Sequence, residues 1–357
     1  MLVALTFCGG AVSVLLLTPL FRQIAVKSGF MDRPASNHKG HKAATALLGG
    51  AAMFTGWVVC ILCGVAAVLL NIMPGCAETF SKHIAGFHYA SGQLAFLVIA
   101  AALAVIIGLA DDKWALSASV KFGGQFIVAL TAVLGGGVKI NLFFSNPFIV
   151  CAISIFWIML LMNSINFFDN MDGLAVGTIA IAMGFFTVIA MLNCQYFMAL
   201  FSALNFGVCC GFWFYNASPA TIFMGDSGSH FLGFLAAVVS AGTTFFDHST
   251  SLTPLPVLIP LLILALPLFD TLMVVLIRTK NRKPFWIGDH NHISHRFVRM
   301  GLSRKSAVAV VHLLSIVLSL GALPIYWGNL PVAAIMVVQA VLLLMVITIL
   351  QICAAEK

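Results

Sequence analysis

Uncharged runs of about 20 apolar residues, separated by polar or Gly/Pro breaks, recur from one end of this chain to the other. A helix rising 1.5 Å per residue needs about 20 residues to cross a hydrocarbon layer about 30 Å thick. Inside lipid every backbone N–H and C=O must be bonded within the structure, which a helix achieves alone. Eleven such runs can be marked, at about 2–20, 46–71, 91–110, 121–135, 147–163, 174–191, 196–214, 228–244, 257–278, 306–326 and 330–352. The expected fold is therefore all-α: one polytopic membrane domain over residues 1–357 with about eleven transmembrane helices. Composition agrees, since only 8% of residues are charged, against about 25% in a soluble domain. Too few charges remain to cover a water-facing surface, and disorder, a collagen-like repeat and a disulfide scaffold are excluded with it. The nine cysteines lie mostly inside apolar runs and are read as packing, Cys60 and Cys63 included. The first run lacks a basic segment before it and is expected to remain as a span.

Basic residues give an orientation. With eleven spans, alternate connections share a side, and one side collects 16 of the 18 Lys and Arg, leaving Lys82 and Lys139 opposite. The positive-inside rule makes the rich side cytoplasmic, with the N-terminus outside and the C-terminus inside. Cytoplasmic loops then fall at about 22–45, 111–120, 164–173, 215–227 and 279–305. The net charge of +7 reports topology; a nucleic-acid partner would need a soluble basic face, and none is available. Acidic residues do not obey this rule, yet Asp32, Asp111, Asp112, Asp169, Asp172, Asp226, Asp289 and Glu356 sort to the same side, against Glu78 and Asp247. One polar site assembled at the cytoplasmic mouth of the bundle would account for that bias.

Four clusters carry the candidate chemistry. Asp111 and Asp112 end the third run in Gly-Leu-Ala-Asp-Asp, followed by Lys121; such carboxylates are either solvated loop ends or bases and ligands of a cation-dependent reaction. Asn163, Asn166, Asp169 and Asp172 recur every three residues, and three such steps turn a helix about half a revolution. The helix must end within that motif if all four are to converge, and Asn170 and Gly173 supply the break. Asp226 lies in Gly225-Asp-Ser-Gly228 before the eighth run, where glycines let backbone approach an anion and the helix N-terminus attracts one. An N-cap is the plain reading of that aspartate; as a ligand it would hold Mg²⁺ with substrate phosphates. Finally, Asp289, His292 and His295 share a face of the 278–305 loop if it is helical, beside Arg296 and Arg299. Phosphate contact suits them better than zinc, because no cysteine is near. Asp270, about 12 Å inside the ninth run, is a buried acid with a functional or a structural role.

In this order Gly-Leu-Ala-Asp-Asp, Asn163 to Gly173, Phe223 to Ser229 and Asp289 to Phe297 resemble the polyprenyl-phosphate N-acetylhexosamine-1-phosphate transferases. The segment from Asp32 through His38, Lys39 and His41 to Gly50 looks like the first cytoplasmic loop of that family. Three positions depart from the family pattern: Ser294 stands for a histidine, Ala46 for a proline and His38 for an arginine. The resemblance implies an eleven-helix enzyme of a bacterial cytoplasmic membrane, its site facing the cytoplasm. It would move a sugar 1-phosphate from a UDP-N-acetylhexosamine, most simply UDP-GlcNAc, onto polyprenyl phosphate such as undecaprenyl phosphate. The products would be UMP and a lipid pyrophosphate sugar that starts a cell-surface polysaccharide. The cofactor implied is Mg²⁺, with Mn²⁺ as its substitute. By the same resemblance Asp226 binds the metal, and Asp111 deprotonates or orients the acceptor with Asp112 assisting. Asn163, Asn166, Asp169 and Asp172 line the nucleotide side, with Asn170 and Met171 near the uracil. His292 and His295 contact the diphosphate, and Lys39, His41 and Lys121 neutralise phosphate charge. The muramoyl-pentapeptide branch of the family is the first alternative. A secondary transporter, with polar groups near the midplane on broken helices, is the alternative of another class.

Overall fold

The computed structural model describes residues 1–32, 44–70, 74–140, 144–246, 251–284 and 291–355, with only the backbone course for 68–69, 74–90 and 352–355. Every apolar run of the sequence is helical. The helices are α1 Leu2–Ser28, α2 Gly49–Leu69, α3 Pro74–Trp114, α4 Ala118–Leu134, α5 Pro147–Phe168, α6 Leu174–Leu192, α7 Tyr196–Asn216 and α8 Gly225–Gly242. They continue with α9 Ile259–Ile263, α10 Ala265–Lys280, α11 Ile293–Arg299, α12 Arg304–Trp327 and α13 Leu330–Ala355. Among the described residues, eight helices are long and apolar enough to cross a membrane, and a ninth crossing is added if one bent pair counts as a single span. This is an all-α, multi-pass membrane protein.

Three segments differ from the expected straight spans. The ninth is broken: residues Leu255–Ile263 and the helix α10 meet at 74°. Pro267 lies in the first turn of α10, where its missing N–H cannot continue the helix from Ile263 and its ring would collide with that carbonyl. The fourth, α4, has only 17 residues. The third starts earlier than its apolar run, since α3 extends for 41 residues from Pro74.

The bundle is centred on α8, whose residues from Ser227 to Ser240 are all buried. Small residues permit this. A Cβ on Gly108 of α3 would overlap the backbone of Ser227, one on Gly50 of α2 would overlap Gly228, and one on Gly233 would lie 2.6 Å from Met162 Cα of α5. Three neighbours thus reach α8 backbone to backbone, the close approach by which helices associate in lipid without a hydrophobic drive between them. The same device joins α1 to α7, where a Cβ on Gly211 would stand 2.5 Å from the Ala11 carbonyl oxygen. Buried polar groups add direction: Trp57 donates to Asn205 at 2.8 Å and Trp157 to Ser240 at 2.9 Å. Outward-facing Leu16, Leu342 and Met345 are exposed and meet lipid.

Among the described residues one small sheet positions the site. Strands β1 Met31–Asp32 and β2 Thr45–Ala46 pair antiparallel, and Ala46 also bridges Ile222 in the segment before α8. Phe223 donates to Ala46 at 2.8 Å, and Gly49 and Gly50 donate to Phe223 and Met224 at 3.0 Å each. The second end of the first connection is therefore tied to the chain that leads into Asp226, and β1 is held to that end.

Gly108→Leu should destabilise the protein by about 1–3 kcal/mol, because the clash is with backbone and no rotamer relieves it. Thermal denaturation in detergent reads this, with Gly64→Ala, whose Cβ meets nothing within 4 Å, as the neutral control.

Candidate active site

The site forms where α3 and α5 end and α4, α8 and α11 begin, with α10 alongside. Lys121, in the first turn of α4, places its ammonium against Asp111 of α3 and 2.8 Å from Asp226 Oδ2 of α8. The other Asp226 oxygen accepts from Asn166 Nδ2 of α5 at 2.7 Å, and the same amide donates to Ser229 at 2.9 Å. Asp111 is itself held, accepting from the Leu116 amide at 2.8 Å. Four helix ends are thereby joined through two carboxylates, one ammonium and one amide.

Asp112 has a different place from its neighbour. Its oxygens accept from the backbone N–H groups of Asp226 at 2.8 Å and Ser227 at 3.2 Å. The anion attracted to the N-terminus of α8 is thus supplied by the protein itself, and it satisfies donors that a helix start leaves open. Gly225 makes the approach possible: its φ is +67°, and a Cβ there would lie 2.5 Å from Asp112 Oδ2. The anion expected at this helix N-terminus is thus a side chain of α3.

The repeating Asn/Asp motif ends its helix at Phe168, so Asp169 caps α5 and Asp172 lies in the turn before α6. Asp172 accepts from Ala220 at 3.1 Å, and Asn216 links Gly173 to Ile222 at 3.1 and 3.0 Å, which pins the connection from α7 to α8 against this turn. Asn163 does not converge with the other three. It lies one turn deeper and pairs with Gln125 of α4, because its helix has not yet ended. Asn170 accepts from Ser294 at 2.5 Å, and Met171 is buried beside it. Burial, reinforced by the carboxylates of Asp226, Asp112 and Asp172, pushes the Asp169 carboxyl up to about 8 from an ordinary value of 3.8.

The fourth cluster folds onto this turn. His292 caps α11, and its Nδ1 stands 2.7 Å from Asp270 Oδ2, while the Ile293 amide donates to Asp270 Oδ1 at 2.6 Å. Asp270 is therefore no isolated intramembrane acid: His292 and Ile293, at the start of α11, meet it. His295 follows on α11, its ring centroid 6.4 Å from that of His292. The Ser294 side chain, in the position of the missing histidine, joins α11 to Asn170. Arg278, buried beneath, lies 5.3 Å from the centre of the Phe167 ring. Lys39, His41, His38 and Asp289 lie outside the described residues.

Sequence motifs pointed to the acids and to Ser229 and missed Gln125, His230 and Asn216. The available signal was spacing: Gln125 and His230 stand four after Lys121 and Asp226.

The arrangement of carboxylates, amide and cation at one face of a lipid-embedded bundle can be set beside known proteins. The sequence profile described as Glycosyl transferase family 4 matches residues 94–243. A Bacillus subtilis (strain 168) protein named "Probable undecaprenyl-phosphate N-acetylglucosaminyl 1-phosphate transferase" is 32% identical over 330 residues, covering 90% of this chain and 84% of that protein. The chain belongs to glycosyl transferase family 4. Another relative of this family-4 protein is the Mycolicibacterium smegmatis (strain ATCC 700084 / mc(2)155) "Decaprenyl-phosphate N-acetylglucosaminephosphotransferase", 28% identical over 84% of this chain and 76% of the relative. A "Phospho-N-acetylmuramoyl-pentapeptide-transferase" of Bacillus thuringiensis (strain Al Hakam) is 28% identical over 63% of this chain and 69% of its own. Family 4 membership makes this chain a membrane transferase, and the profile spans α4, α5 and α8, the helices that supply Lys121, Asn166 and Asp226.

A raised carboxyl pKa means that the folded protein holds a proton the unfolded chain releases, so stability falls as pH rises between about 4 and 8. Asp169→Asn should flatten that decline, read as the melting temperature of detergent-solubilised protein across this range without divalent cations.

Proposed function

We propose that this protein transfers GlcNAc 1-phosphate from UDP-GlcNAc to polyprenyl phosphate, with undecaprenyl phosphate as the natural acceptor, releasing UMP. The observation that carries the reading is the meeting of Asp111, Lys121, Asn166 and Asp226 from four helices, in a chain related over 90% of its length to a protein named for that reaction. In the transfer an acceptor phosphate oxygen bonds to the β-phosphorus of the donor. The bond from that phosphorus to the bridging oxygen breaks, and UMP leaves with the bridging oxygen. Both partners are anions, so repulsion is the first obstacle and positioning in line the second.

The chain's own groups answer these in place. Lys121 offers a cation at the centre of the site, and Asp111 beside it is placed to take a proton from the acceptor or to orient it. His292, oriented by Asp270, and His295 face the diphosphate from α11. Asn166, Asp169, Asn170, Met171 and Asp172 form the nucleotide side around the α5–α6 turn. Lys39 and His41, on the first connection, would add positive charge. Both Asp112 oxygens accept backbone N–H groups, which supports direct attack over a covalent intermediate on that residue.

Among the described residues no three His, Cys, Asp or Glu side chains gather into a metal-binding set. Mg²⁺ takes one or two carboxylates and completes its shell with water and substrate phosphates. Asp226, with two oxygen donors and neighbouring Asp111, would hold it; when bound, the ion neutralises charge developing on the transferred phosphoryl group. Mn²⁺ fits the same oxygen donors.

The transporter alternative required polar groups on broken helices near the midplane. The broken pair α9 and α10 does carry Asp270, but that acid is bonded to His292 of the site-face loop. We place the site on the cytoplasmic side of a bacterial inner membrane, where 16 of 18 basic residues collect and UDP-sugars are made.

Membranes supplied with Mg²⁺, polyprenyl phosphate and a panel of UDP-sugars, including UDP-MurNAc-pentapeptide, should release UMP with UDP-GlcNAc. Asp226→Asn should abolish that release while expression stays normal; full turnover by the variant would remove Asp226 from the metal role.

A further inference from the structure

A second polar layer lies one helical turn beneath the site, and the chemistry above makes no use of it. Behind Lys121 on α4 stands Gln125, behind Asn166 on α5 stands Asn163, and behind Asp226 on α8 stands His230. Because α4 and α8 begin at the site face and α5 ends there, all three steps lead inward, by about 4.5–6 Å. Asn163 Nδ2 donates to Gln125 Oε1 at 2.6 Å, and Gln125 Nε2 returns a bond to Asn163 Oδ1 at 3.3 Å. Gln125 Nε2 also lies 3.1 Å from His230 Nε2. The Asn163 amide is oriented independently, by donating to the Met159 carbonyl at 2.7 Å. Gln125 Nε2 is then the donor, His230 Nε2 the acceptor, and the neutral imidazole carries its proton on Nδ1. The fourth corner is closed by α3, where Gly108 abuts Ser227 and Ile107 packs on Gly124.

This layer is expensive to maintain. Gln125 and His230 are fully buried, and His230 Nδ1 has no partner among the described residues. A leucine would satisfy such a position without an orphaned donor. What a leucine cannot supply is direction, since apolar contact fixes area and leaves sliding of one helix along another weakly opposed. Directed bonds between α4, α5 and α8 fix their relative heights. Those heights decide whether Lys121 and Asn166 reach opposite oxygens of Asp226.

We propose that His230 is a positioning residue for the transfer, locking α4, α5 and α8 in register through Gln125 and Asn163 so that Asp226 is gripped from both sides. The inference rests on the transferase reading above. Its test compares purified wild type with His230→Gln, His230→Asn and His230→Leu in UMP release, varying UDP-GlcNAc, polyprenyl phosphate and Mg²⁺. The Gln Oε1 stands where Nε2 stood and still accepts from Gln125, whereas Asn is too short and Leu has no acceptor. His230→Gln should keep most of kcat, while the Asn and Leu variants lose about tenfold or more, with KM for UDP-GlcNAc little changed. Wild-type kcat in the Asn and Leu variants, or an equal loss in all three, would overturn the proposal, as would a lowered melting temperature with unchanged kcat. If His230→Leu fails to fold, the Gln and Asn pair decides alone. Every variant is read against wild type in the same assay, so failure of the functional reading appears in wild type and failure of this proposal only in the variants.

Discussion

An ammonium shared between two carboxylates holds the polar face of this bundle together. Asp111 and Asp226 belong to helices 115 residues apart in sequence, and both are partly withdrawn from water. Two such acids side by side would repel, and one would take up a proton. Lys121 removes that conflict by lying between them. The position is conditional on backbone geometry, because a lysine reaches both acids only if α3, α4 and α8 end at one height. The arrangement leaves one cation fixed at the polar face, with the oxygens of both acids turned onto it and onto Asn166.

The helix α8 sets that height. It is surrounded on all sides, and glycines let α2, α3 and α5 touch its backbone. Its N-terminus is held by Asp112 of α3, which leaves the Asp226 side chain as the group presented to the site. A helix buried along its length and touched backbone to backbone by three neighbours is held firmly, and a fixed Asp226 is what an in-line phosphoryl transfer needs. On the opposite rim α11 is fixed by two contacts, Asp270 with His292 and Ser294 with Asn170. The serine that replaces a family histidine therefore ties α11 to the turn between α5 and α6.

Much of this was legible in the sequence. Apolar runs gave the helices because lipid leaves the backbone few choices, and the sidedness of acids gave a single polar face. The motif spacing required α5 to end near Asp169, as it does. Legibility stopped where three-dimensional packing decides. The bend at Leu264 depends on how Pro267 is placed in a new first turn, and a proline in an apolar run does not state an angle. Asp112 could not be told from Asp111 by sequence, since only the location of α8 shows which carboxylate caps it. Gln125 was passed over because one polar residue in twenty does not alter a hydropathy pattern, and His230 because it lies just past the end of the Phe223 to Ser229 motif. Their cost in lipid, together with the four-residue step from Lys121 and Asp226, was the sign available.

Convergence of α4 and α8 at Lys121 and Asp226 is the claim on which the site depends. It is tested most directly by replacing both residues with cysteine in a chain freed of its native cysteines, then treating intact membranes with a short bifunctional thiol reagent. The account predicts intramolecular cross-linking of the pair and labelling of both thiols from the same face of the membrane. Thiols that label from opposite faces, or that label readily from one face and never cross-link, would contradict it.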